Sequence, residues 1–364
     1  MKKWLALLTL VLMSSCSKQE AQTPAADVST VVPAANEVVP EKQKLVIFNW
    51  TEYLPESVLE DFTKETGIDV EYATYESNET MYAKVKLLDG KGYDIVVPST
   101  FYVEKMRKEG LLQPINKSAL KNYANLDSSS MNKAYDPHNE YSVPYLWGTT
   151  AIAVNGKDVD ASKITKWADL WNPEYQGKIM MLDDVRDIFY IGLRMCGFND
   201  NSTNEAEIQC AYEKLKGLMP NVKAFNSDSP KTPLIQGNVS IGAIWSGEAY
   251  KASQEMEDLQ YIYPEEGAVM WIDSFVIPRG AVNVDAAHKF IDFVLRAESG
   301  KACIEELGYP TPNTATLSLL DESLRKNKII FPSKADIAKA SIHQDVGDSL
   351  LIYQKYWDLL KAGQ

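Results

Sequence analysis

A strand, a helix and a second strand follow one another in the stretch that decides the fold, KLVIFNWTEYLPESVLEDFTKETGIDVEYATY at residues 44–75. The runs Leu45–Phe48 and Val70–Thr74 are short and rich in β-branched and aromatic residues, which is typical of strands. Between them, Glu56–Thr66 has the apolar spacing of an amphipathic helix. Apolar runs that are each followed by a helix indicate parallel strands covered on both faces.

The same alternation continues along the chain. We predict a helix at Glu79–Leu88, a strand at Tyr93–Val97 and a helical tail at Ile337–Leu360. Further strands are predicted at Tyr145–Val154, Lys178–Leu182, Ser240–Trp245, Leu259–Tyr263 and Met270–Ile277. This order predicts an α/β fold. A length of 364 residues favours two lobes, and because no repeat or single linker divides the chain, we expect the lobes to exchange segments.

Charge and composition exclude several classes of protein. The chain is 45% hydrophobic and 24% charged, an ordinary mixture for a globular protein that buries a core. Its 37 basic and 50 acidic residues give a net charge of −13, whereas nucleic-acid binders need a basic surface, so we predict no nucleic-acid partner. The chain has 3 histidines and lacks the GxSxG, GxGxxG and HExxH motifs, so we predict no enzyme activity, no cofactor and no metal.

The first residues carry a targeting signal. Lys2 and Lys3 precede an apolar run, residues 4–13, that is too short to span a bilayer and leads through two serines to Cys16. This pattern resembles the bacterial lipobox, which implies lipidation of Cys16; ordinary signal-peptidase cleavage nearby is the alternative. Cleavage before Cys16 leaves 35 basic and 50 acidic residues, a charge of −15. Residues 17–44 lack aromatic residues and an apolar period, which predicts a flexible tether.

Three cysteines follow Cys16, namely Cys196, Cys210 and Cys303. A secreted protein meets an oxidising compartment, where disulfides persist. Cys196 and Cys210 fall near the end of one helical pattern and inside the next. A disulfide between them and three buried thiols therefore stay open as alternatives.

Aromatic and acidic residues recur where predicted strands end. The clusters are NWTEY at 49–53, PSTFY at 98–102, DDVRD at 183–187, WSGE at 245–248 and WID at 271–273. In open α/β sheets the ligand crevice lies beyond the carboxyl ends of the strands, so we expect the clusters to meet there. Aromatic rings attract a cation and pack on methylenes, and carboxylates form charge-assisted hydrogen bonds with it. The pattern favours an organic ammonium ligand.

Each cluster also has a structural explanation. A tryptophan or tyrosine near a strand end is commonly a core or interface residue. Asp183 is predicted to cap a helix that begins at Asp184, where acidic residues complement the helix dipole. Asp184 and Asp187 stand three residues apart on one helix face, where like charges repel. The pair is either a capping arrangement or a site for a cation.

Long specific stretches carry a family resemblance: NWTEY at 49–53, FTKETGI at 62–68, TYESNETMYAK at 74–84, YDIVVPST at 93–100, MRKEG at 106–110, WADLWNPEY at 167–175, LMPNVKAFNSD at 218–228, GYPTPN at 308–313 and QDVG at 344–347. In these stretches the chain resembles the periplasmic spermidine/putrescine-binding proteins of bacterial ABC importers, the PotD type. The resemblance extends from Leu45 to the C-terminus. It implies a type II periplasmic solute-binding fold, in which two α/β lobes joined by hinge strands close on a ligand.

The resemblance also implies domain boundaries. Residues 1–15 would form the signal peptide, and residues 16–44 the lipidated cysteine and the tether. Lobe 1 would comprise residues 45–147 and 272–317, and lobe 2 residues 148–271 and 318–364.

Transferred residue by residue, the pocket of the family falls on the clusters described above. Aromatic residues are expected to wall the methylene chain: Trp50, Tyr53, Trp245, Trp271 and Tyr309. Carboxylates are expected to pair with ammonium groups: Asp184, Asp187 and Asp273. Polar contacts are expected from Thr51, Glu52, Ser99 and Ser227.

Three further features of the pocket depart from the family pattern. Phe101 stands where the spermidine binders have tyrosine, and Asp187 replaces a glutamate. His343 stands where a glutamine contacts the ligand, and Gln344 is the alternative if the register shifts. Because these positions line the pocket, they affect ligand preference and not the fold.

The spacing of the carboxylates sets the expected ligand. The first ammonium of a triamine would pair with Asp184 and Asp187, and the next with Asp273. Its far end would meet Thr51, Glu52 and His343. A diamine would leave that end to water, so spermidine is expected to bind more tightly than putrescine. A protonated His343 would repel the ammonium, which predicts weaker binding at acid pH.

The resemblance implies a function in transport. We expect a monomer that captures a polyamine, spermidine or putrescine, between two closing lobes and delivers it to the permease of an ABC importer. The implied location is the periplasm or cell envelope, with lipid attachment to the membrane through Cys16. A polyamine sensor that reports to a membrane receptor is the alternative, because the same fold serves both roles.

Overall fold

The computed structural model describes residues 43–363, so the signal sequence, Cys16 and nearly all of the tether lie outside the described residues. The strands are β1 (Lys44–Trp50), β2 (Asp69–Tyr75), β3 (Ile95–Val96), β4 (Ser142–Asn155), β5 (Ile179–Met181), β6 (Val222–Phe225), β7 (Ile241–Trp245), β8 (Leu259–Ile262), β9 (Val269–Val276) and β10 (Ser341–Ile342).

The α-helices are α1 (Glu56–Thr66), α2 (Asn78–Leu87), α3 (Thr100–Lys108), α4 (Val185–Met195), α5 (Glu205–Leu218), α6 (Thr232–Ile235), α7 (Ser246–Glu255), α8 (Val284–Val294), α9 (Ala297–Leu307), α10 (Glu322–Arg325), α11 (Lys334–Lys339) and α12 (Leu350–Ala362). Short 3-10 helices lie at Lys117–Ala119, Tyr123–Asn125, Ser128–Ser130, Ala161–Lys163, Trp167–Trp171, Pro173–Tyr175, Met219–Asn221, Thr316–Leu319 and Gly347–Ser349. Within this part of the chain, no helix is both long and apolar enough to cross a membrane.

Between residues 43 and 363 the strands form one ten-stranded sheet in the order β2-β1-β3-β9-β4-β7-β5-β6, with β10 beside β9 and β8 beside β4. β1 is parallel to β2 and β3, and β5 is parallel to β6 and β7. The central strand β4 is antiparallel to β7, β8 and β9. The α/β class and the parallel pairing of the first strands are confirmed, whereas the centre of the sheet is antiparallel.

The two central strands contribute to two hydrophobic cores. The first half of β4 packs with Leu45 of β1 and Phe290 of α8. Its second half packs with Phe189 of α4 and Trp357 of α12. Trp271 of β9 packs against both cores, so the region around this ring lies where the two cores meet. The proposed division into lobes follows the same central strands, and its boundaries stay a prediction.

Helix α1 has the bounds that the sequence predicts. It ends because Gly67 adopts the left-handed conformation, with φ of 71°, and donates its N–H to the carbonyl of Thr63 at 2.8 Å. Each predicted strand overlaps a strand of the structure, although β3 is reduced to Ile95–Val96.

The prediction of a continuous helix at Ile337–Leu360 is wrong. Helix α11 ends at Lys339, Ser341 and Ile342 form β10, and α12 begins only at Leu350. Pairing with β9 explains the break, because Ser341 and Ile342 lie opposite Val269 and Met270. The apolar pattern of the tail gave no sign of this long-range contact.

The alternatives for the cysteines are resolved in favour of a disulfide. Cys196, which caps the end of α4, is bonded to Cys210 of α5, with 6.4 Å between the two Cα atoms. Cys303 is a free, buried thiol in α9, and burial raises its pKa to about 12. It therefore behaves as a small apolar side chain.

Candidate polyamine site

Aromatic and acidic side chains line one cavity of about 750 Å³ that is partly open to solvent. All the residues predicted for ligand binding lie in its wall: Trp50, Thr51, Glu52, Tyr53, Ser99, Phe101, Asp184, Asp187, Ser227, Trp245, Trp271, Asp273, Tyr309 and His343. The wall also contains residues that the sequence analysis did not select: Tyr75, Glu76, Asn78, Thr100, Asp228 and Glu248. The roles of all these residues in binding stay predictions.

The ends of strands bring the wall together. Trp50 ends β1 and Trp245 ends β7, while Ser99 and Asp184 directly precede α3 and α4. Asp273 lies within β9 and forms an isolated bridge with Ser99. The end of β3 and the end of β7 both approach the middle of the β4–β9 pair, because Ser99 bridges to Asp273, which lies opposite Leu146, and Trp245 lies opposite Thr150. Local clusters far apart in sequence therefore converge on one crevice.

Aromatic rings form a connected part of the wall. Tyr309 lies 5.2 Å from Tyr53 and 5.3 Å from Trp271 between ring centroids, in edge-to-face geometry. Trp50 and Trp245 form a second pair at 6.2 Å. Edge-to-face contacts hold such rings in place. Tyr53, Tyr309 and Trp271 pack in a hydrophobic core and also line the cavity. A structural role and a role in ligand binding are therefore compatible for these three rings.

Asp184, and not Asp183, is the N-cap of α4. Its carboxylate accepts hydrogen bonds from the backbone N–H groups of Arg186 at 2.9 Å and Asp187 at 3.0 Å. Asp183 pairs with Lys361 at 2.8 Å, so the predicted capping by Asp183 is wrong by one residue. Burial, together with the neighbouring Asp187, raises the pKa of Asp184 to about 7.

Asp187 is buried beside His343. Its carboxylate accepts hydrogen bonds from the Thr150 hydroxyl at 2.6 Å and from His343 Nε2 at 3.0 Å. Burial raises the pKa of Asp187 to about 6, although the hydrogen bond from Thr150 opposes the shift.

The structure places His343 at the acidic end of the cavity, beside Asp187, and not at the far end with Thr51 and Glu52. Burial lowers the pKa of His343 well below its ordinary value. The imidazole is therefore a neutral donor to Asp187 near pH 7. The lowered pKa moves protonation of His343 to more acid pH, and weaker binding there through an imidazolium stays a prediction.

Asp273 is the third buried carboxylate. It accepts a hydrogen bond from the Ser99 hydroxyl at 2.6 Å. Burial raises the pKa of Asp273 to about 7, although the bond from Ser99 opposes the shift.

Within residues 43–363, no lysine or arginine forms a salt bridge with Asp184, Asp187 or Asp273. Burial is the main cause of the raised pKa values of all three, and the buried guanidinium of Arg186 opposes the shift at Asp184 and Asp187 without forming a salt bridge. A ligand with ammonium groups would supply the missing positive charge. The cavity therefore has the chemistry of an organic-cation site.

Glu52 differs from these aspartates. Its side chain is 53% exposed and forms salt bridges with Lys231 at 2.9 Å and Lys251 at 3.2 Å. The hydrogen bond from Lys231 lowers the pKa of Glu52. No local pattern indicates this pairing, because Glu52 and Lys231 lie 179 positions apart in the chain.

Phe101 and Ser227 complete the predicted set. The ring of Phe101 packs edge to face on His343 at 5.8 Å, and the guanidinium of Arg186 lies 5.4 Å from the ring centroid. The hydroxyl oxygen of Ser227 is buried, and within residues 43–363 it has no hydrogen-bond partner. This hydroxyl is available to a ligand that enters the cavity.

Local signals existed for part of the wall that the sequence analysis missed. Tyr75 and Asn78 lie in the stretch TYESNETMYAK, and Glu248 lies in the cluster WSGE. Asn78 donates to the Ser99 hydroxyl at 3.1 Å and thereby positions a residue that binds Asp273. A search for polar residues around each cluster would have found these positions.

The chain is similar to known bacterial polyamine-binding proteins. A spermidine/putrescine-binding periplasmic protein of Salmonella typhimurium is 50% identical to this chain over 324 residues. The alignment covers 89% of this chain and 93% of the relative. Among solved structures, the substrate-binding protein PotD of a spermidine/putrescine ABC transporter from Streptococcus pneumoniae is 37% identical, with a TM-score of 0.72, and covers 86% of this chain and 99% of that one. The TpPotD lipoprotein of Treponema pallidum is 30% identical, with a TM-score of 0.77, over 87% of this chain and 99% of that one.

The structural neighbours have the type II fold of periplasmic solute-binding proteins, which confirms the predicted fold. The sequence pattern of the family described as bacterial extracellular solute-binding protein matches residues 57–332. The matched range contains most of the residues that line the cavity and most of the residues in each of the two hydrophobic cores. The chain belongs to the bacterial extracellular solute-binding protein family.

Proposed function

We propose that this protein binds a polyamine, spermidine or putrescine, in the cavity and delivers it to the permease of an ABC importer. One observation carries the proposal: three buried carboxylates lie beside aromatic rings in one cavity without a lysine or arginine salt bridge among the described residues. The names of the similar proteins support the same ligand class. The proposal involves no chemical step.

Methylene burial and charge pairing would share the binding free energy. At ~0.8 kcal/mol per methylene, the seven methylenes of spermidine supply about 5–6 kcal/mol and the four of putrescine about 3 kcal/mol. A micromolar dissociation constant needs about 8 kcal/mol, and association also costs translational freedom. Burial on the rings alone is therefore insufficient. The remainder would come from Asp184, Asp187 and Asp273, whose carboxylates would pair with ammonium groups.

Closure of two lobes would complete the site. In this proposal residues 45–147 and 272–317 form one lobe, and residues 148–271 and 318–364 form the other. Trp271 supports the arrangement, because it contacts both hydrophobic cores and the cavity. Closure would exclude water from the carboxylates and strengthen their pairing with the ligand.

The transport role is better supported than the sensor alternative. The similar proteins are named as periplasmic binding proteins and as parts of ABC transporters, and none of those compared above is named as a sensor. The proposed location is the periplasm or cell envelope, with a monomer held to the membrane by a lipid on Cys16. The Treponema pallidum neighbour, which is named as a lipoprotein, supports the anchor.

Calorimetric titration with spermidine and putrescine tests the proposal. The Trp271→Ala and Asp273→Ala variants should each abolish measurable binding, because one removes an aromatic wall and the other leaves an ammonium without its partner. The matched controls are Trp171→Ala and Asp321→Ala, which do not line the cavity and should bind as the wild type does. Wild-type affinity within a few fold in the first two variants would refute the site.

A further inference from the structure

Two lysines and two glutamates form a cluster at the solvent side of the cavity, which we call the mouth cluster: Glu52, Lys231, Glu248 and Lys251. Lys231 Nζ lies 2.9 Å from a carboxylate oxygen of Glu52 and 3.2 Å from one of Glu248. Lys251 Nζ lies 3.2 Å from Glu52 and 3.8 Å from Glu248. Each carboxylate therefore faces both ammonium groups.

The lysines act from behind the wall of the cavity. Glu52 and Glu248 belong to the described residues that line the cavity, whereas Lys231 and Lys251 do not. Both lysine side chains are less than one-fifth exposed, and Glu248 is buried. Ion pairs that are shielded from water in this way are held more firmly than exposed ones.

The mouth cluster is electrically balanced, since it contains two ammonium groups and two carboxylates. Burial lowers the pKa of Lys231, but Glu248 and Glu52 outweigh this effect and hold the pKa above its ordinary value. Lys231 therefore stays charged at neutral pH. An ammonium of a ligand that reaches Glu52 meets a carboxylate that already has two cationic partners.

The acidic end of the cavity has the opposite character. Asp184, Asp187 and Asp273 have no lysine or arginine salt bridge among the described residues. Two ammonium groups can be neutralised there, which is all that a diamine requires. The third ammonium of a triamine that reaches Glu52 or Glu248 has to displace or share a lysine of the mouth cluster, and Glu76 and Asp228 are the other carboxylates of the wall.

We propose that Lys231 and Lys251 are specificity-determining residues that reduce the advantage of a triamine over a diamine at this site. The inference rests on the proposed function, because it assumes that polyamines bind in the cavity. Because the lysines already pair with Glu52 and Glu248, they reduce the binding free energy that the third ammonium gains from these carboxylates. They leave the two ammonium groups at the aspartates unaffected.

The test is calorimetric titration of spermidine and putrescine into the Lys231→Met/Lys251→Met variant. Methionine keeps much of the stem of lysine and removes the charge. The ratio of spermidine affinity to putrescine affinity should rise about fivefold or more, because a partly exposed carboxylate becomes free for the third ammonium. The matched control, Lys326→Met/Lys355→Met, removes two lysines from exposed ion pairs elsewhere and should leave the ratio at the wild-type value.

A second variant separates specificity from a change in overall charge. Adding Glu52→Gln to the Lys231→Met/Lys251→Met background should remove most of the gain in spermidine affinity, because the freed carboxylate is lost. If the double variant melts well below the wild type, each single lysine variant is titrated in its place, with a smaller expected rise.

The two proposals fail in different ways. A wild-type protein that binds neither polyamine would refute the proposed function. Binding of both polyamines, with a ratio that stays within twofold of wild type in the lysine variants, would overturn the specificity role alone. An equal rise in affinity for both polyamines would also overturn the specificity role, because such a rise would indicate a general effect of charge.

Discussion

The buried aspartates decide the chemistry of the cavity at the scale of single residues. Asp184, Asp187 and Asp273 have folded-state pKa values of about 7, 6 and 7, because burial disfavours their charged forms. An unfolded chain ionises its aspartates near pH 3.9. Between these values the three aspartates hold more protons in the ligand-free folded protein than in the unfolded chain, so their contribution to stability falls as the pH rises from about 4 to 7.

Ligand binding should therefore release protons below about pH 7. An ammonium group favours the ionised carboxylates and stays charged itself in this range. We expect affinity to rise from pH 5 to pH 8, with release of roughly two to three protons per ligand at pH 5.5 and few at pH 8. Calorimetry in two buffers with different ionisation enthalpies measures the number of protons.

Two variants show which groups release these protons. Asp184→Asn leaves Asp187 to hold the same ammonium and should reduce the release at pH 5.5 by about one proton. His343→Gln should keep the proton release of the wild type, because the buried imidazole is already neutral. Equal release at pH 5.5 and pH 8 in the wild type would contradict the raised pKa values.

At the scale of elements, the pairing of β4 with β9 makes room for the aromatic wall. Gly148 of β4 lies opposite Trp271 of β9. A Cβ atom at Gly148 would lie 2.5 Å from the ring of Trp271, closer than real contacts allow. Gly247 of α7 has the same relation to the ring of Tyr309. Small residues in these two elements thus set the positions of two predicted ligand contacts.

Gly148→Ala should displace the ring of Trp271 and weaken spermidine binding by about tenfold or more, since overpacking a tight contact costs about 1–3 kcal/mol. The control is Gly217→Ala in α5, where a Cβ atom would lie 3.6 Å from Trp171 at an ordinary contact distance. That substitution should leave affinity unchanged and raise stability slightly, because alanine favours helix. Unchanged spermidine affinity in Gly148→Ala would show that the position of the Trp271 ring does not affect binding.

At the scale of the whole molecule, the two hydrophobic cores are joined through the central strands and Trp271. Each core has its own helices, which fits the proposal that two lobes close on a ligand by bending of the central strands. The net charge of −13 would attract a polycation to the cleft from a distance, and salt would weaken this attraction.

Spermidine should therefore make the protein more compact in solution. Small-angle X-ray scattering is expected to give a smaller radius of gyration with spermidine than without it, because the ligand stabilises the closed arrangement. The Trp271→Ala variant should show no such decrease. A wild-type radius that is the same with and without saturating ligand would rule out closure of the proposed lobes.

The α/β class, the bounds of α1 and the clusters that form the cavity were predictable from the sequence alone. These features depend on local patterns: apolar spacing, a helix stop at Gly67 and polar or aromatic residues at strand ends. Family resemblance added the members of the wall that lie in no strand-end cluster, such as Tyr309 and His343, and both line the cavity. The type II fold was predictable because long family motifs extend over nearly the whole domain, and the structural neighbours confirm it.

The pairing of the charged side chains became evident only in the folded structure. The tertiary structure put His343 beside Asp187, joined Glu52 to Lys231 and Lys251, and made the centre of the sheet antiparallel. The physical reason is that these contacts join residues more than 100 positions apart, where no local period or spacing records the partner. Burial, which sets the pKa values of the aspartates and of His343, likewise exists only once the chain has packed.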